Sequence, residues 1–249
     1  MSDLRSERPG RNGSGEEEAT KDLRPVVLQF GPSEPEVRRD LPDPRLPGKA
    51  VALTFDDGPD QWTDAILDLL EAHEVPATFF ALGEKVLERD KEAQRIVDLG
   101  CEIANHTHSH ANLSELSNAE ICRELADCSS AIYAVTGTTP YFYRAPFLND
   151  PPAAKMAGLA LGMLSVDCDV IAEDWKRNDW REITTRVVNG IKAGGRNVLL
   201  HDGVPKDRLG SRKATVKAVG ALIPWLLDHD YELITVSRLL GRVDAETVR

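Results

Sequence analysis

Short apolar runs alternate with amphipathic stretches along most of the chain. Seven runs have the length and composition of buried strands: AVALTF (50–55), ATFFAL (77–82), CEIAN (101–105), YFYRAP (141–146), LGMLSV (161–166), NVLL (197–200) and YELITV (231–236). The stretches between them predict helices over 62–70, 84–100, 117–137, 151–159, 180–193 and 212–229. Pro224 should kink or interrupt the last of these helices, because proline removes a backbone donor.

This alternation over roughly 190 residues predicts an α/β fold, in which helices cover a parallel sheet. An open doubly wound sheet and a closed barrel both fit the number of strands. Side chains suited to chemistry follow the C-terminal ends of several different strands, and in a barrel all of these ends meet on one face. The sequence therefore favours a distorted or incomplete (β/α) barrel.

The segment before residue 49 differs in composition from the rest of the chain. Its first 22 residues are polar, charged and rich in glycine, which predicts disorder, and VVLQF (26–30) could form a short strand. A proline-rich stretch between residues 32 and 47 predicts an extended arm. We therefore expect an N-terminal arm over 1–48, a globular domain that carries the site over 49–241, and a tail over 242–249.

Charge and cysteine content exclude several classes of function. The chain has 30 basic and 41 acidic residues, a formal net charge of −11, whereas nucleic-acid binding needs a basic surface. Its four cysteines form no CxxC pair, which argues against a zinc ribbon or a disulfide framework. Neither a secretory signal nor a transmembrane run is visible, so we expect no membrane association. A complete chain would be cytoplasmic and a trimmed one secreted, while the oligomeric state stays open.

Two aspartates and two histidines are candidates for a metal site. Asp56 and Asp57 follow the first strand in LTFDDGPD, where the Gly-Pro pair would bend the chain so that the two carboxylates take different roles. In NHTHSHANL, His106 and His110 would share one face of a helical turn. Two imidazoles and one carboxylate suit zinc, cobalt, nickel or iron.

Further polar residues follow other strands. Arg144 lies in FYRAPF, His201 ends VLLHDG, and VDCDVIAEDW contains Asp167, Asp169 and Asp174. Each of these is ordinary when taken alone, because salt-bridged arginines, capping histidines and solvated acids are common in proteins. Their convergence on one face of a barrel favours a site.

With these residues the chain resembles the polysaccharide deacetylases, carbohydrate esterase family four, which include chitin-oligosaccharide and peptidoglycan deacetylases. The resemblance runs from about residue 49 to residue 240 and includes all five of the family's motifs in order. The motifs are TFDDGP (54–59), HTHSH (106–110), RAPF (144–147), EDW (173–175) and LLH (199–201). The resemblance implies a metal-dependent deacetylase with a distorted barrel fold.

The resemblance assigns three metal ligands and a general base. Asp57, His106 and His110 would bind a divalent metal, with zinc expected and cobalt or nickel also compatible. Asp56 would be the general base, held in place by Arg144. It would take a proton from the attacking water.

The resemblance also assigns a general acid and a substrate pocket. His201, with Asp174 beside it, would protonate the leaving amine, because an amine leaves poorly until it is protonated. Trp175 and Leu199 would form the walls of the pocket for the acetyl methyl group. A backbone N–H near Phe147 would stabilise the oxyanion.

The fourth motif departs from the family pattern. Ile171 occupies the position of its first aspartate, and we interpret the segment before the motif's tryptophan as a lengthened loop. Asp167 or Asp169, rather than Asp174, could therefore partner His201. The departure removes neither a ligand, nor the base, nor the acid.

The expected activity is the metal-dependent removal of an N-acetyl group from an N-acetylglucosamine-type glycan. The alternative is a cytoplasmic amidase or deacetylase that uses the same site on a small N-acylated metabolite. An iron oxygenase would also use two histidines and a carboxylate, but it needs neither Asp56 nor His201. An inactive binding module would be expected to lack the base or the acid, and both are present.

Overall fold

A curved sheet of parallel strands organises residues 49–241, which are the part of the chain that this computed structural model describes. The strands are β1 (Ala50–Gly58), β2 (Thr78–Ala81), β3 (Glu102–Asn105), β4 (Phe142–Tyr143), β5 (Leu164–Ser165), β6 (Val170–Ile171), β7 (Asn197–His201) and β8 (Glu232–Leu233). Their order across the sheet is β5-β4-β3-β2-β1-β7-β6, and β8 pairs with the start of β1.

The sheet curls into an incomplete barrel with helices on its outside. Within residues 49–241, the outermost strands β5 and β6 do not pair with each other, so the barrel is not closed. The helices are α1 (Thr63–Ala72), α2 (Gly83–Glu88), α3 (Asp90–Asp98), α4 (Asn118–Thr136), α5 (Pro152–Ala160), α6 (Trp180–Lys192), α7 (Lys213–Asp228) and α8 (Val236–Leu239). This architecture confirms the predicted α/β fold with a distorted or incomplete (β/α) barrel.

The alternation of side chains along β1 divides the core into two layers. One face of the strand carries three large apolar residues that pack against the helices: Val51, Leu53 and Phe55. The other face turns into the barrel, where Ala50 and Ala52 belong to a second apolar cluster and their small size suits the narrow interior. Thr54 and Asp56 follow on this inner face, which therefore changes from apolar to polar toward the C-terminal end of the strand.

The structure divides one predicted helix and keeps another continuous across its proline. The helix predicted over 84–100 is broken at Arg89, whose φ of −129° and ψ of 54° lie outside the helical region, so that α2 and α3 are separate. By contrast, α7 is not interrupted at Pro224. The fully buried side chains of Leu222, Ile223 and Leu226 give this helix enough packing to tolerate the hydrogen bond that proline removes.

The predicted strands match in position, but several differ in length. β1 extends beyond the predicted end to Gly58, whereas β4, β5 and β8 have two residues each. β8 stops early because the Thr235 hydroxyl caps α8, which begins at Val236. β6 lies in the segment that we interpreted as a lengthened loop, and it pairs with β7.

The predicted N-terminal arm, its strand over 26–30 and the C-terminal tail over 242–249 lie outside the described residues. In the described part, none of the helices combines the length and the apolar composition that crossing a bilayer requires.

Candidate active site

The end of β1 carries two carboxylates on a β-bulge. Asp56 lies opposite His201 of β7, and the register with β2 shifts between Asp56 and Gly58, which leaves Asp57 as the extra residue. Asp57 adopts a positive φ of 73°, and both aspartates are 3% exposed. The chain does bend after the strand, at Pro59 and Asp60, but the bulge at Asp57, inside the strand, is what directs both neighbouring carboxylates to one site.

His106 and His110 lie on the loop after β3, but not on a helical turn. Thr107 and His110 have positive φ angles of 71° and 64°, which break any helical repeat. The Asn105 side chain accepts the N–H of Thr107 at 2.8 Å, and the Thr107 hydroxyl accepts the N–H of His110 at 3.1 Å. The predicted arrangement on one helical face is therefore wrong, although both imidazoles still reach Asp57.

Asp57, His106 and His110 place three metal-ligand atoms within 4.8 Å of one another. Asp57 Oδ1 is 3.4 Å from His106 Nε2 and 3.1 Å from His110 Nε2. Neither contact has the alignment of a hydrogen bond, so this buried oxygen accepts none from residues 49–241. His106 donates its Nδ1–H to the Arg144 carbonyl at 2.8 Å, which leaves its Nε2 lone pair for the site. The donor set fits a divalent cation of the zinc type.

Electrostatics in this donor set favour the ionised carboxylate. Burial raises the pKa of Asp57, but the adjacent imidazoles of His106 and His110 and the charge of His201 hold that pKa well below its usual range. Burial lowers the pKa of His106, but the charges of Asp56 and Asp57 raise it overall. The carboxylates thus attract positive charge to this point of the barrel.

Arg144 fixes Asp56 from inside the barrel. Its Nη1 donates to Asp56 Oδ1 at 2.7 Å and to Thr54 Oγ1 at 2.8 Å, and its Nη2 lies 3.3 Å from Asn197 Oδ1. The guanidinium carbon is 4.0 Å from the centroid of the Phe80 ring. Arg144 has no exposed surface. Loss of either member of the Arg144–Asp56 pair would therefore leave the other as a buried charge without compensation.

His201 ends β7 and is paired with Asp174. Asp174 Oδ1 accepts the Nδ1–H of His201 at 2.8 Å, while its Oδ2 accepts the His201 backbone N–H at 3.0 Å and the Thr215 hydroxyl at 2.7 Å. Burial lowers the pKa of His201, but the charge and hydrogen bond of Asp174 and the charges of Asp57 and Asp56 raise it to about 9. His201 Nε2 lies 3.9 Å from Asp57 Oδ2, beside the donor set.

Of the three candidate acids, Asp174 is the one that contacts His201. Asp167 and Asp169 are exposed, and their carboxylates accept backbone N–H groups from their own loop and from the start of β7. Asp174 is 1% exposed, because the short 3-10 turn over 174–176 packs against β7.

Two exposed aromatic rings border the site. The Phe147 ring centroid is 4.8 Å from that of His110, and the Trp175 ring centroid is 5.1 Å from that of His201. These side chains are 49% and 39% exposed. Leu199 is buried two residues before His201, on the same face of β7. The structure thus brings all of the predicted site residues together.

The sequence prediction did not include several buried polar residues that lie beside the site. Asp202 accepts the Thr63 hydroxyl at 2.5 Å, and burial raises its pKa to about 7. Lys85 of α2 donates to Asp60 at 2.7 Å and to the Val204 carbonyl at 2.6 Å, which ties together the loops after β1 and β7. Asp60 and Asp202 stand next to motif residues, but only the fold reveals their partners.

Comparison with known proteins identifies relatives over most of the chain. The family model described as polysaccharide deacetylase matches residues 43–165. A chitooligosaccharide deacetylase from Bradyrhizobium sp. (strain ANU 289) is 36% identical over 199 residues, which cover 77% of this chain and 90% of that protein. The peptidoglycan-N-acetylmuramic acid deacetylase PdaC from Bacillus subtilis (strain 168) is 35% identical over 195 residues, which cover 77% of this chain but 38% of PdaC.

Solved structures agree with these relatives. The crystal structure of the Bc1960 peptidoglycan N-acetylglucosamine deacetylase matches with a TM-score of 0.72 and 31% identity, over 78% of this chain and 89% of that one. A carbohydrate esterase family 4 pseudoenzyme from Bacillus anthracis matches with a TM-score of 0.70 and 28% identity, over 78% and 66% of the two chains.

This chain belongs to the polysaccharide deacetylase family. It is a deacetylase, a hydrolase of the carbohydrate esterase type, as the resemblance implied. This assignment favours hydrolysis over the iron-oxygenase alternative.

Proposed function

We propose that this deacetylase removes an N-acetyl group from an N-acetylglucosamine-type glycan, with a divalent metal held by Asp57, His106 and His110. The observation that carries the proposal is the buried Asp57 oxygen, which faces two imidazole nitrogens without hydrogen-bond alignment. Relatives that act on chitooligosaccharides and on peptidoglycan support the choice of an N-acetylated glycan. When bound, a zinc-type cation would supply Lewis-acid stabilisation of the amide oxygen and a water of lowered pKa.

Asp56 is the proposed general base. Arg144 binds its Oδ1, whereas its Oδ2 lies 3.8 Å from His106 Nε2 and so borders the donor set. A carboxylate held in this way can accept the proton of a water that attacks the amide carbon. The buried guanidinium fixes the position of the carboxylate, which keeps the base oriented for each turnover.

His201 is the proposed general acid. Asp174 accepts its Nδ1–H and keeps the ring protonated, so Nε2 can donate a proton to the leaving nitrogen. That proton is required because an amine departs poorly as an anion. Trp175 and Leu199 would form the walls of the pocket for the acetyl methyl, and a backbone N–H near Phe147 would hold the oxyanion.

Acetate release across a substrate panel tests the proposed substrate class. The purified enzyme, with its metal content measured, is incubated with N-acetylglucosamine oligomers, the monomer and small N-acyl amides. We expect release from the oligomers. Release from small amides alone would instead indicate the N-acylated metabolite, and no release from any member by the metal-loaded enzyme would refute glycan deacetylation and favour a binding module.

Asp56→Asn tests the assignment of the base. We expect kcat on the best substrate of that panel to fall about 10²–10⁴-fold, because the amide cannot accept the proton. Metal content should stay unchanged, since Asp56 is not a proposed ligand. Asp167→Asn removes an exposed carboxylate from a neighbouring loop and should leave kcat within twofold of the original. Full activity of Asp56→Asn would disprove its role.

A further inference from the structure

Arg208 stands at the rim of the site, on the loop over 202–212 between β7 and α7. Its guanidinium carbon is 4.9 Å from the centroid of the Phe147 ring, and that ring is 4.8 Å from the His110 ring. The guanidinium therefore lies within about 10 Å of a proposed metal ligand. A substituent on the reacting sugar or on its neighbour could reach it.

Arg208 has no acidic partner among residues 49–241. None of their carboxylate oxygens, including those of the adjacent Asp207, lies within 4.0 Å of its guanidinium nitrogens. Lys206, two residues earlier, pairs with Glu84 at 3.2 Å and with Glu88 at 2.5 Å, and so anchors the loop to α2. An arginine left unpaired in a chain of net charge −11 is well placed to bind an anion from outside.

The acids of the site are also unavailable to Arg208. Asp56 is bound by Arg144, Asp174 by His201, and Asp57 is enclosed by imidazoles. Beside Arg208, Leu209 is 103% exposed, so the loop presents a charged and an apolar group outward together. A guanidinium stacked on an aromatic ring keeps its N–H groups available for two parallel bonds to one carboxylate.

We propose that Arg208 is a specificity residue that binds a carboxylate carried by the substrate, on the deacetylated sugar or on the sugar next to it. This inference rests on the proposed glycan N-deacetylation. A single carboxylate charge matches the single guanidinium, because the nearby Lys206 is already paired. Acidic N-acetylated glycans are then preferred over neutral ones of the same length.

A pair of glycans that differ only in charge tests the proposal. One alternates N-acetylglucosamine with N-acetylmuramic acid, whose lactyl group carries the carboxylate, and the other is its carboxyl-reduced form. A neutral N-acetylglucosamine oligomer serves as the third substrate. The ratio of kcat/KM for the acidic glycan to that for the reduced glycan is measured for the original enzyme, Arg208→Gln and Arg208→Lys. Arg238→Gln, an exposed arginine paired with Glu232 beside β8, is the control.

We expect the ratio to exceed one in the original enzyme and to fall about tenfold to a hundredfold in Arg208→Gln, through KM. Arg208→Lys should recover part of the ratio, and Arg238→Gln should leave it unchanged. An unchanged ratio in Arg208→Gln, or activity of the original enzyme on the neutral oligomer alone, overturns the proposal and leaves glycan deacetylation standing. No turnover of any of the three glycans overturns both.

Discussion

Asp56 and Asp57 are neighbours in sequence with the same chemistry, yet the structure gives them different partners. Asp56 continues the inner face of β1 and is bound by Arg144, whereas the bulge directs Asp57 to His106 and His110. A one-residue bulge thus separates the proposed base from the proposed ligand. The sequence could indicate both acids, but the positive φ of Asp57 depends on pairing with β2, which no local pattern reveals.

Asp174→Asn should move the alkaline limb of the pH–rate profile. The general acid must be protonated, so kcat/KM falls as pH rises through the His201 pKa of about 9. Burial alone would lower that pKa, and Asp174 is the main group that raises it. Without its negative charge the protonated imidazole is less stable, and the limb should shift to lower pH by about one to three units. A profile of kcat/KM against pH measures the shift.

Asp169→Asn is the matched control for this shift. Asp169 was an alternative to Asp174 in the sequence, but its carboxylate accepts backbone N–H groups, which an asparagine oxygen can also accept. Its alkaline limb should therefore coincide with that of the original enzyme. If the alkaline limbs of Asp174→Asn and Asp169→Asn fell at the same pH, Asp174 would not set the protonation of His201.

At the scale of elements, the ends of β1 and β7 approach so closely that no side chain fits between them. A Cβ atom added at Gly203 would lie 2.0 Å from the Asp57 carbonyl oxygen and 2.8 Å from the Gly58 nitrogen. Both obstacles are backbone, so Gly203→Ala should displace the bulge. We expect a loss of about 1–3 kcal/mol in unfolding free energy, together with weaker metal binding, measured by denaturant titration and by metal content after dialysis.

Gly220→Ala provides the contrast. A Cβ atom there would be 3.6 Å from the Leu69 side chain, which is an ordinary contact. In the middle of a helix such as α7, alanine is more favourable than glycine by up to about 1 kcal/mol. Stability should therefore stay equal or rise, with metal content unchanged. If Gly203→Ala were as stable and as rich in metal as Gly220→Ala, the close approach of the two strands would not matter for the site.

Elements with local sequence signals were predictable, whereas those that depend on distant partners were not. α4 has a complete capping box between Ser117 and Glu120 and ends at Gly137 with a φ of 69°, all of which are local signals. β6 has only two residues, and its pairing with β7 rather than its composition makes it a strand. The loop of His106 was misjudged for the same reason, because its turns depend on the Asn105 and Thr107 side chains.

For the whole molecule, the barrel converts separate sequence positions into one site. Histidines of the β3 loop, Arg144 after β4 and His201 of β7 meet the aspartates of β1, as a parallel barrel requires of residues near the C-terminal ends of its strands. This convergence was predictable once the fold class was. The supporting contacts were not, since Asp202 with Thr63 and Lys85 with Asp60 join elements through side chains that have no periodic pattern.

Metal binding should stabilise the entire domain. The proposed ligands come from β1 and from the loop after β3, so an ion at Asp57, His106 and His110 would cross-link these two parts of the sheet across β2, which lies between them. Because the unfolded chain does not hold these ligands together, zinc at about 100 times its Kd should add about 2.7 kcal/mol and raise Tm by about 5–10 °C over the chelated enzyme. Thermal unfolding with zinc and with chelator measures this difference.

Asp57→Asn should lose most of the zinc-dependent rise in Tm, whereas Asp167→Asn should keep it. An undiminished rise in Asp57→Asn would mean that the stabilising ion binds elsewhere, for example at other histidines, and would remove the proposed metal site.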